Sequence, residues 1–278
     1  MIEIFHKTSQ QCSKITAENY STSFATAIRF LQEDIRADIC NIYGFVRFTD
    51  EIVDTFHNYN KEELLYSFEN EIWKAIEEKI SLNPILHSFQ LTVNKYNIDP
   101  ALIDAFFNSM QYDLHNIPYD EAIYKEYIYG SAEAVGLMCL HVFCQGDKSM
   151  YNSLKQSARS LGAAFQKVNF LRDIKADHEQ LNRMYFPNCS YKNFTLQNKK
   201  EIEEDIEIDF DNAYRGILRL PSSARFGVYV AYKYYFSLFK KIKRLPPKAI
   251  CQKRIRVADY TKILIVAESA LRYQLNVL

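Results

Sequence analysis

Apolar residues recur along most of the chain three and four positions apart, and no stretch alternates apolar and polar residues as a half-buried strand would. This periodicity predicts helices at about 10–32, 35–57, 61–79, 84–95, 100–114, 119–145, 148–178, 198–219, 222–243 and 255–276. The segment 183–198 is the longest predicted irregular connection. We therefore expect a single all-α domain over residues 1–278.

The composition supports long helices with few turns. Only 7 Gly and 7 Pro occur in 278 residues, which is below the usual proportion. A hydrophobic fraction of 48% is sufficient for a large core. The 20 Tyr and 19 Phe indicate aromatic core packing, and they would also suit a cavity for an apolar or cationic ligand.

Charge is balanced overall, with 34 basic and 34 acidic residues, so no global field favours nucleic acid, which we do not expect as a partner. Two local runs stand out, an acidic one at 201–211 and a basic one at 240–256. Both could be solvated helix faces or ends. The alternative for the basic run is contact with a membrane surface or with diphosphate.

The six cysteines form no C-x-x-C pair, so neither a zinc site nor a redox motif is indicated. The first residues show no signal-peptide pattern, and we expect reduced thiols in a cytoplasmic protein. Apolar stretches such as 134–144 are too short to cross a bilayer, so the protein is expected to be soluble or to lie on a membrane.

A polar stripe runs along the second predicted helix, in the segment 41–56. Tyr43, Arg47, Asp50 and Asp54 fall within an arc of about 60°, while the rest of this helix is largely apolar. A helix that is apolar nearly all round is expected to be buried, and its carboxylates then need a cation. One alternative is a core salt bridge from Arg47 to one aspartate, but a single arginine does not neutralise two aspartates and the nearby Glu51.

A second stripe repeats this design in the segment 160–177. Gln166, Asn169, Asp173 and Asp177 fall within an arc of about 80° on another largely apolar helix. D-x-x-x-D on one helix is a weak signal, whereas two such helices form a stronger one. Mg²⁺ prefers carboxylate oxygens, water and phosphate oxygens, so two facing rows predict a site that gathers a diphosphate.

These residues resemble the motifs of the squalene/phytoene synthase family over about Tyr20 to Arg256. Its Y-x-x-x-R and D-D-x-x-D motifs correspond to Tyr43, Arg47, Asp50, Glu51 and Asp54, with Glu in place of the middle Asp. Its N-x-x-R-D-x-x-x-D and R-x-Y-x-P motifs correspond to Asn169, Arg172, Asp173, Asp177, Arg183, Tyr185 and Pro187. A Y-x-Y-G-x-A-x-x-V-G-like element is present at Tyr127 to Gly136.

The resemblance implies an isoprenoid synthase fold, with both aspartate helices facing a central cavity. It also implies head-to-head joining of two prenyl diphosphates through a cyclopropylcarbinyl diphosphate, with Mg²⁺ as cofactor and Mn²⁺ as a substitute. The implied metal ligands are Asp50, Asp54, Asn169, Asp173 and Asp177. The implied diphosphate-binding residues are Arg47, Arg172, Arg183 and Arg254. The implied catalytic residues are Arg47 with Tyr43, Tyr127 and Tyr235, which line the reacting centre, and Gln166 beside them.

The sequence departs from the family at its N-terminal motif, H-S-x-[ST]-F. Here the segment reads Tyr20-Ser21-Thr22-Ser23-Phe24, without the basic residue that contacts phosphate in the family. Ser21 and Ser23 remain as hydroxyl groups for substrate binding. The departure concerns how one diphosphate is held.

The residues of both motifs most resemble those of bacterial phytoene synthases. This resemblance implies that two geranylgeranyl diphosphates are the substrates and phytoene is the product. It also implies a role in carotenoid biosynthesis and no need for NADPH. Squalene or dehydrosqualene synthesis from farnesyl diphosphate is the alternative. A non-catalytic protein that binds lipid diphosphates is a further one, although both aspartate pairs are intact. The N-x-x-R-D-x-x-x-D motif argues against a chain elongase or terpene cyclase.

The chemistry of these substrates also predicts where the protein works. Prenyl diphosphates are amphiphiles and the product is a hydrocarbon, so release into water is unfavourable by about 0.8 kcal/mol per exposed CH₂. We expect a cytoplasmic enzyme that reversibly contacts the anionic inner leaflet through an apolar rim at the cavity mouth. The basic residues expected to assist are Lys240, Lys241, Lys243 and Arg244.

Overall fold

The computed structural model describes residues 1–115, 117 and 119–275, and within these ranges it contains helices and no β-strand. Thirteen α-helices occur there. They are α1 (Ile2–Tyr20), α2 (Thr22–Arg29), α3 (Glu33–Asp54), α4 (Lys61–Glu78), α5 (Pro84–Tyr96), α6 (Pro100–His115), α7 (Glu121–Ile128), α8 (Ala134–Cys144), α9 (Lys148–Leu181), α10 (Leu196–Ile217), α11 (Ser222–Lys243), α12 (Pro247–Ile250) and α13 (Asp259–Gln274). The all-α prediction is confirmed.

The predicted helix at 10–32 is wrong in its bounds, because the structure has two helices there and the first begins at Ile2. Ser21 interrupts them with an extended backbone (φ −146°, ψ 97°). Its side chain accepts a hydrogen bond from the Phe24 backbone N–H at 3.2 Å and so begins α2. A one-residue break of this kind leaves the apolar spacing almost unchanged, so periodicity does not detect it.

The predicted helix at 119–145 contains a π-helical turn, Tyr129–Glu133, between α7 and α8. Gly130 lies in this turn, where a Cβ atom would come within 2.1 Å of the Ala105 carbonyl oxygen of α6. Only glycine permits that approach. The whole run Glu121–Cys144 is long and apolar enough to cross a membrane, contrary to the sequence-based estimate, but more than half of its most apolar window is buried in the fold.

The longest helix, α9, carries the second polar stripe, and its ends are fixed by local residues. Asp147 accepts a hydrogen bond from the Met150 backbone N–H at 2.9 Å at its start. Asn182 ends it in the left-handed conformation (φ 52°). The adjacent helix α10 carries the acidic run, where Asp205 and Asp209 both pair with Lys167 of α9. The run is therefore partly packing and only partly a solvated face.

Aromatic side chains form much of the core. Phe45 of α3 stacks on Phe89 of α5 with ring centroids 4.0 Å apart, and Phe106 and Phe107 of α6 contact the same ring. This cluster fixes one side of α3. The opposite side of α3 faces a central cavity, whose other walls come from α2, α8, α9, α10 and α11. The expected arrangement of helices around a cavity is confirmed.

Candidate active site

The central cavity has a polar part of about 1010 Å³ and an apolar part of about 270 Å³. The two parts share lining residues, so the apolar part opens directly from the polar part. The shared residues are Phe24, Tyr43, Val46, Ser131, Gln166, Asn169 and Tyr235. A ligand with a charged head and an apolar tail would match this division.

The structure brings the sequence-predicted site residues together. Those that line the polar part are Ser21, Ser23, Tyr43, Arg47, Asp50, Asp54, Tyr127, Gln166, Asn169, Arg172, Asp173, Asp177, Tyr235 and Arg254. Arg183 is not among the lining residues. It is buried behind this wall, and its Nη1 donates a hydrogen bond to Asp54 Oδ1 at 2.9 Å.

On α3, Arg47 forms no salt bridge with the aspartates of its own stripe. It pairs instead with Glu51, one turn further along, and its guanidinium lies 4.4 Å from the centroid of the Tyr20 ring. Asp50 makes no hydrogen bond or ion pair within the described part of the chain. Burial, reinforced by the neighbouring Asp54, raises the pKa of Asp50 to about 8.

On α9, two arginine side chains pair with the carboxylate of the first aspartate of the stripe, and no described arginine side chain pairs with that of the second. Arg172 Nη2 donates to Asp173 Oδ2 at 2.5 Å, and Arg254 Nε lies 2.8 Å from Asp173 Oδ1. Asp177 has no such partner among the described side chains. Burial, followed by the charges of Asp173 and Asp54, raises the pKa of Asp177 to about 7.

Among the residues that the structure describes, no three His, Cys, Asp or Glu side chains converge closely enough to hold a metal ion alone. Mg²⁺ commonly takes one or two carboxylates and completes its octahedron with water and phosphate oxygens. The unpartnered carboxylates of Asp50 and Asp177, together with the buried Asn169 Oδ1 that accepts no hydrogen bond, fit that requirement. The assignment of the five metal ligands stays a prediction.

A buried acid that the sequence analysis did not identify lies in the wall of the polar part. Asp113 of α6 accepts hydrogen bonds from the hydroxyls of Tyr127, Tyr119 and Tyr185 at 2.8, 3.3 and 3.4 Å. Arg183 Nη1 lies 3.2 Å from the same carboxylate. Burial raises the pKa of Asp113 to about 6, against the lowering effect of Arg183.

A signal for Asp113 exists in the sequence. Ile103, Phe106 and Met110 are buried apolar residues of α6 spaced three and four apart, and Asp113 continues their row by three more positions. An acid at the next position of a core-facing row predicts a buried carboxylate with fixed partners.

A basic residue from the far end of the chain reaches the N-terminal motif. Lys262 of α13 lines the polar part of the cavity, and its Nζ lies 3.5 Å from Thr22 Oγ1. Thr22 belongs to the segment Tyr20–Phe24, which lacks the basic residue that contacts phosphate in the family. The structure therefore places a cation beside that segment, and a separation of 240 positions along the chain kept this contact out of reach of sequence reasoning.

Comparison with known proteins identifies the family. A family profile described as squalene/phytoene synthase matches residues 17–261. The chain belongs to this family. Squalene/phytoene synthases are prenyltransferase-type enzymes that act on prenyl diphosphates, so this protein is an enzyme of that type.

Three curated relatives illustrate the range of this family. The 4,4'-diapophytoene synthase of Staphylococcus haemolyticus is 25% identical over 202 residues, which cover 70% of this chain and 68% of that protein. The 15-cis-phytoene synthase of Enterobacter agglomerans is 25% identical over 276 residues, or 90% and 91% of the two chains. The chloroplastic phytoene synthase 1 of Zea mays is 26% identical over 84% of this chain, which spans 61% of that enzyme's length.

Solved structures of the family share the fold. A dehydrosqualene synthase in complex with a ligand superposes with a TM-score of 0.81 at 18% identity, over 97% of this chain and 98% of that one. A squalene synthase from Alicyclobacillus acidocaldarius gives a TM-score of 0.74 at 18% identity, over 87% and 95%. The expected isoprenoid synthase fold is confirmed.

The junction of the two cavity parts in this squalene/phytoene synthase is aromatic. Tyr235 stacks on Phe165 with ring centroids 3.9 Å apart, and Tyr43 stacks on Phe24 at 5.0 Å. Burial raises the pKa of Tyr43 to about 12 and that of Tyr127 well above its usual value. These two hydroxyls therefore stay protonated, so Tyr43 at the junction and Tyr127 in the polar part are neutral rings rather than nucleophilic phenolates.

Proposed function

We propose that this enzyme joins two geranylgeranyl diphosphates head to head, through a cyclopropylcarbinyl diphosphate, and releases phytoene. The observation that carries the proposal is the apolar cavity that opens directly from a polar cavity flanked by two aspartate rows. A diphosphate held by the rows would extend its prenyl chain into the apolar part. The proposal implies a role in carotenoid biosynthesis.

The polar part of the cavity would hold the diphosphate and its metal ions. Asp50, Asp54, Asn169, Asp173 and Asp177 would hold Mg²⁺, or Mn²⁺ in its place. When bound, such ions neutralise the diphosphate leaving group and favour heterolysis of the allylic C–O bond.

The arginines of the site would bind diphosphate oxygens. Arg172 and Arg254 contact Asp173 and, from the same positions, would donate hydrogen bonds to the oxygens of a bound diphosphate. Arg47 would bind a second diphosphate from the opposite helix. Arg183, which is buried and contacts Asp54, would orient that carboxylate rather than contact substrate.

The apolar part of the cavity would protect the allylic cation. Tyr43, Tyr235 and Gln166 lie at the junction, and Tyr127 lines the polar part beside it; the aromatic rings would stabilise positive charge. Further in, the lining is apolar, so water that would quench the cation is excluded. NADPH has no role in this reaction, because phytoene forms from the final cation by loss of a proton.

The depth of the apolar part supports a long prenyl chain. Along α9, the lining runs from Asn169 at the junction to Leu154, fifteen positions earlier, or about 22 Å of helix axis. Four isoprene units in an extended conformation approach this length, whereas three units leave the far end unfilled. This is the reason for preferring geranylgeranyl diphosphate.

Two farnesyl diphosphates are the second candidate substrate pair, with squalene or dehydrosqualene as product. This candidate is favoured by the likeness to a dehydrosqualene synthase structure and by the 4,4'-diapophytoene synthase relative. Squalene formation would require NADPH, whereas dehydrosqualene formation would not.

The test is incubation of the purified protein with Mg²⁺ and radiolabelled geranylgeranyl and farnesyl diphosphates at equal concentrations, followed by extraction of hydrocarbons. Phytoene as the main product supports the proposal, and addition of NADPH should leave it unchanged. Dehydrosqualene or squalene as the main product would establish the second candidate. Binding of both diphosphates without turnover would identify a non-catalytic lipid-diphosphate binder.

A further inference from the structure

The last described helix, α13, presents an apolar face to solvent. Tyr260, Ile263, Leu264, Leu271 and Leu275, the residue that follows the helix, have exposed fractions between 58% and 71%. Their spacing places them within an arc of about 120° along one side. Single exposed apolar residues are common on protein surfaces, but a continuous row of this kind indicates an interaction surface.

The opposite side of α13 anchors the helix to the domain. Ile265 and Ser269 are buried, and the ring of Tyr273 lies 5.1 Å from that of Phe226 on α11. The helix therefore cannot rotate to bury its exposed face without losing these contacts. The exposed face is a consequence of how α13 is packed.

The apolar face of α13 starts at the rim of the active-site cavity. Ala258, just before the helix, and Lys262, in its first turn, both line the polar part of the cavity. Tyr260, Ile263 and Leu264 occupy the same first turns on the outward side. A surface that covered this face would therefore lie beside the cavity mouth.

Basic residues lie next to the same rim. Lys253 and Arg256 are exposed in the segment before α13. Lys241 donates a hydrogen bond to the Arg256 carbonyl oxygen at 2.7 Å, which brings the basic end of α11 beside this segment. Beyond its first residue, α13 carries one acidic residue, Glu268, which is paired with Lys233 and with Arg272. The surroundings of the face are therefore cationic.

We propose that the exposed face of α13 docks on an anionic lipid bilayer and holds the cavity mouth at the membrane interface. An amphipathic helix with apolar residues on one side and cations beside it binds such an interface. A second copy of the chain is a weaker match, because a stable dimer buries about 800 Å² and 20–30 residues per partner. The proposal rests on the proposed function only in that the substrates carry prenyl chains, which would pass between bilayer and cavity.

The structure also changes the surface expected from the sequence. Of the predicted basic contributors, Lys243 is paired with Glu207, and Lys240 lies over the Phe236 ring at 4.4 Å. All four side chains are exposed, and Lys241 and Arg244 form no salt bridge with a described acid. We infer that apolar insertion by α13 supplies the main attachment, with the basic residues as an electrostatic supplement that salt weakens.

The test is co-sedimentation of the full chain, without substrate, with phosphatidylcholine vesicles and with mixed phosphatidylcholine–phosphatidylglycerol vesicles at rising salt. The triple variant Ile263→Ser, Leu264→Ser, Leu271→Ser should reduce partition into the mixed vesicles by about tenfold or more. The matched control is the triple variant Ile4→Ser, Leu196→Ser, Ile208→Ser, which removes residues of similar exposure elsewhere and should bind as the wild type does.

Turnover in detergent micelles separates this proposal from the proposed function. The α13 variant should keep wild-type turnover there and lose it with substrate supplied in vesicles. Equal vesicle binding by the α13 variant and the wild type would overturn the docking face. Absence of wild-type binding, together with a dimer in sedimentation that the α13 variant abolishes, would assign the face to a second copy instead. Inactivity of the wild type in micelles would count against the proposed function alone.

Discussion

Arg183 contacts Asp113 twice: its Nη2 donates to the Asp113 carbonyl oxygen at 2.7 Å, and its Nη1 lies 3.2 Å from the carboxylate. Both side chains are about 95% buried, with 5% and 4% exposed. The same Nη1 donates to Asp54 at 2.9 Å. A buried acid on α6 thus fixes the arginine that orients an aspartate of the first stripe.

We expect Asp113→Asn to lower the free energy of unfolding by about 2 kcal/mol, because the buried Arg183 loses part of its charge compensation. The variant should also reduce kcat more than it raises KM, since Asp54 loses a fixed orientation. Chemical denaturation and steady-state kinetics measure these effects. Asp104→Asn, on an exposed position of the same helix, is the control and should change the unfolding free energy by less than about 0.5 kcal/mol. Equal stability of the two variants would contradict the anchoring role.

Asp50→Ala and Asp173→Ala should each reduce turnover by about 10³-fold or more, because each removes a carboxylate from the proposed Mg²⁺ site. Their stabilities should differ. Asp50 has no partner and lies near Asp54, so its removal should leave the metal-free protein as stable or more so. Asp173 is contacted by Arg172 and Arg254, so its removal should cost stability. Circular dichroism, thermal melts and turnover in saturating Mg²⁺ provide the comparison.

Glu33→Gln, an exposed acid at the start of α3, is the matched control and should keep wild-type turnover. Near-normal turnover of either aspartate variant would remove that residue from the metal site.

The sequence was sufficient to predict those site residues that recur at helical spacing along a single helix. Asp50 and Asp54, like Asp173 and Asp177, are four positions apart on helices that are otherwise apolar, so one helix at a time reveals its polar stripe. Periodicity does not reveal which helices face each other, and that required the family resemblance. Ser21 interrupts the helix over a single residue. A hydrophobic pattern averaged over several turns does not detect so short an interruption.

The residues that sequence reasoning missed depend on contacts between distant segments. Lys262 meets Thr22 only because α13 packs across α11 and reaches the start of α2. Asp113 could have been noticed as an acid within an apolar row, but its partners Arg183 and Tyr185 lie in the irregular connection that follows α9, whose path no local rule predicts.

The metal-free protein should lose stability as the pH rises from about 5 to about 8. Asp50 and Asp177 have folded-state pKa values of about 8 and about 7, above the unfolded value of about 3.9. The folded state therefore binds more protons than the unfolded state in this window, and deprotonation disfavours folding. Mg²⁺ binds the carboxylate form, so its stabilising effect should grow over the same window.

Thermal melts across this pH range, with EDTA and with Mg²⁺, measure both trends. Asp50→Asn is the control, because it removes one of the raised carboxyl groups and should make the slope with EDTA shallower. A metal-free wild type with the same slope as Asp50→Asn would contradict the prediction.

Cys139→Phe should shift the substrate preference from geranylgeranyl to farnesyl diphosphate. Cys139 lies on α8, two turns beyond Ser131 at the junction, and lines only the apolar part of the cavity. A phenyl ring there would fill the space that the last isoprene unit needs. The ratio of kcat/KM for the two substrates is the measurement, and we expect it to change by about tenfold or more. Cys139→Ser, of nearly equal size, is the control and should keep the wild-type ratio. An unchanged ratio in Cys139→Phe would mean that the end of the prenyl chain lies elsewhere in the cavity.

Lys262→Gln should raise KM for the prenyl diphosphate by about tenfold or more with a smaller effect on kcat, because a hydrogen bond to a charged group contributes about 1.5–3 kcal/mol. The prediction follows from the position of Lys262 in the polar cavity, 3.5 Å from Thr22 Oγ1, beside a motif segment that has no basic residue of its own. If Lys262 acts through its positive charge beside Thr22, a lysine introduced at position 22 of α2 should substitute for it. The double variant Thr22→Lys, Lys262→Gln should therefore recover most of the lost affinity, and Lys233→Gln, a lysine on α11 outside the cavity lining, should leave KM unchanged. Failure of the double variant to recover, with a normal thermal melt, would mean that Lys262 supports α13 rather than the substrate.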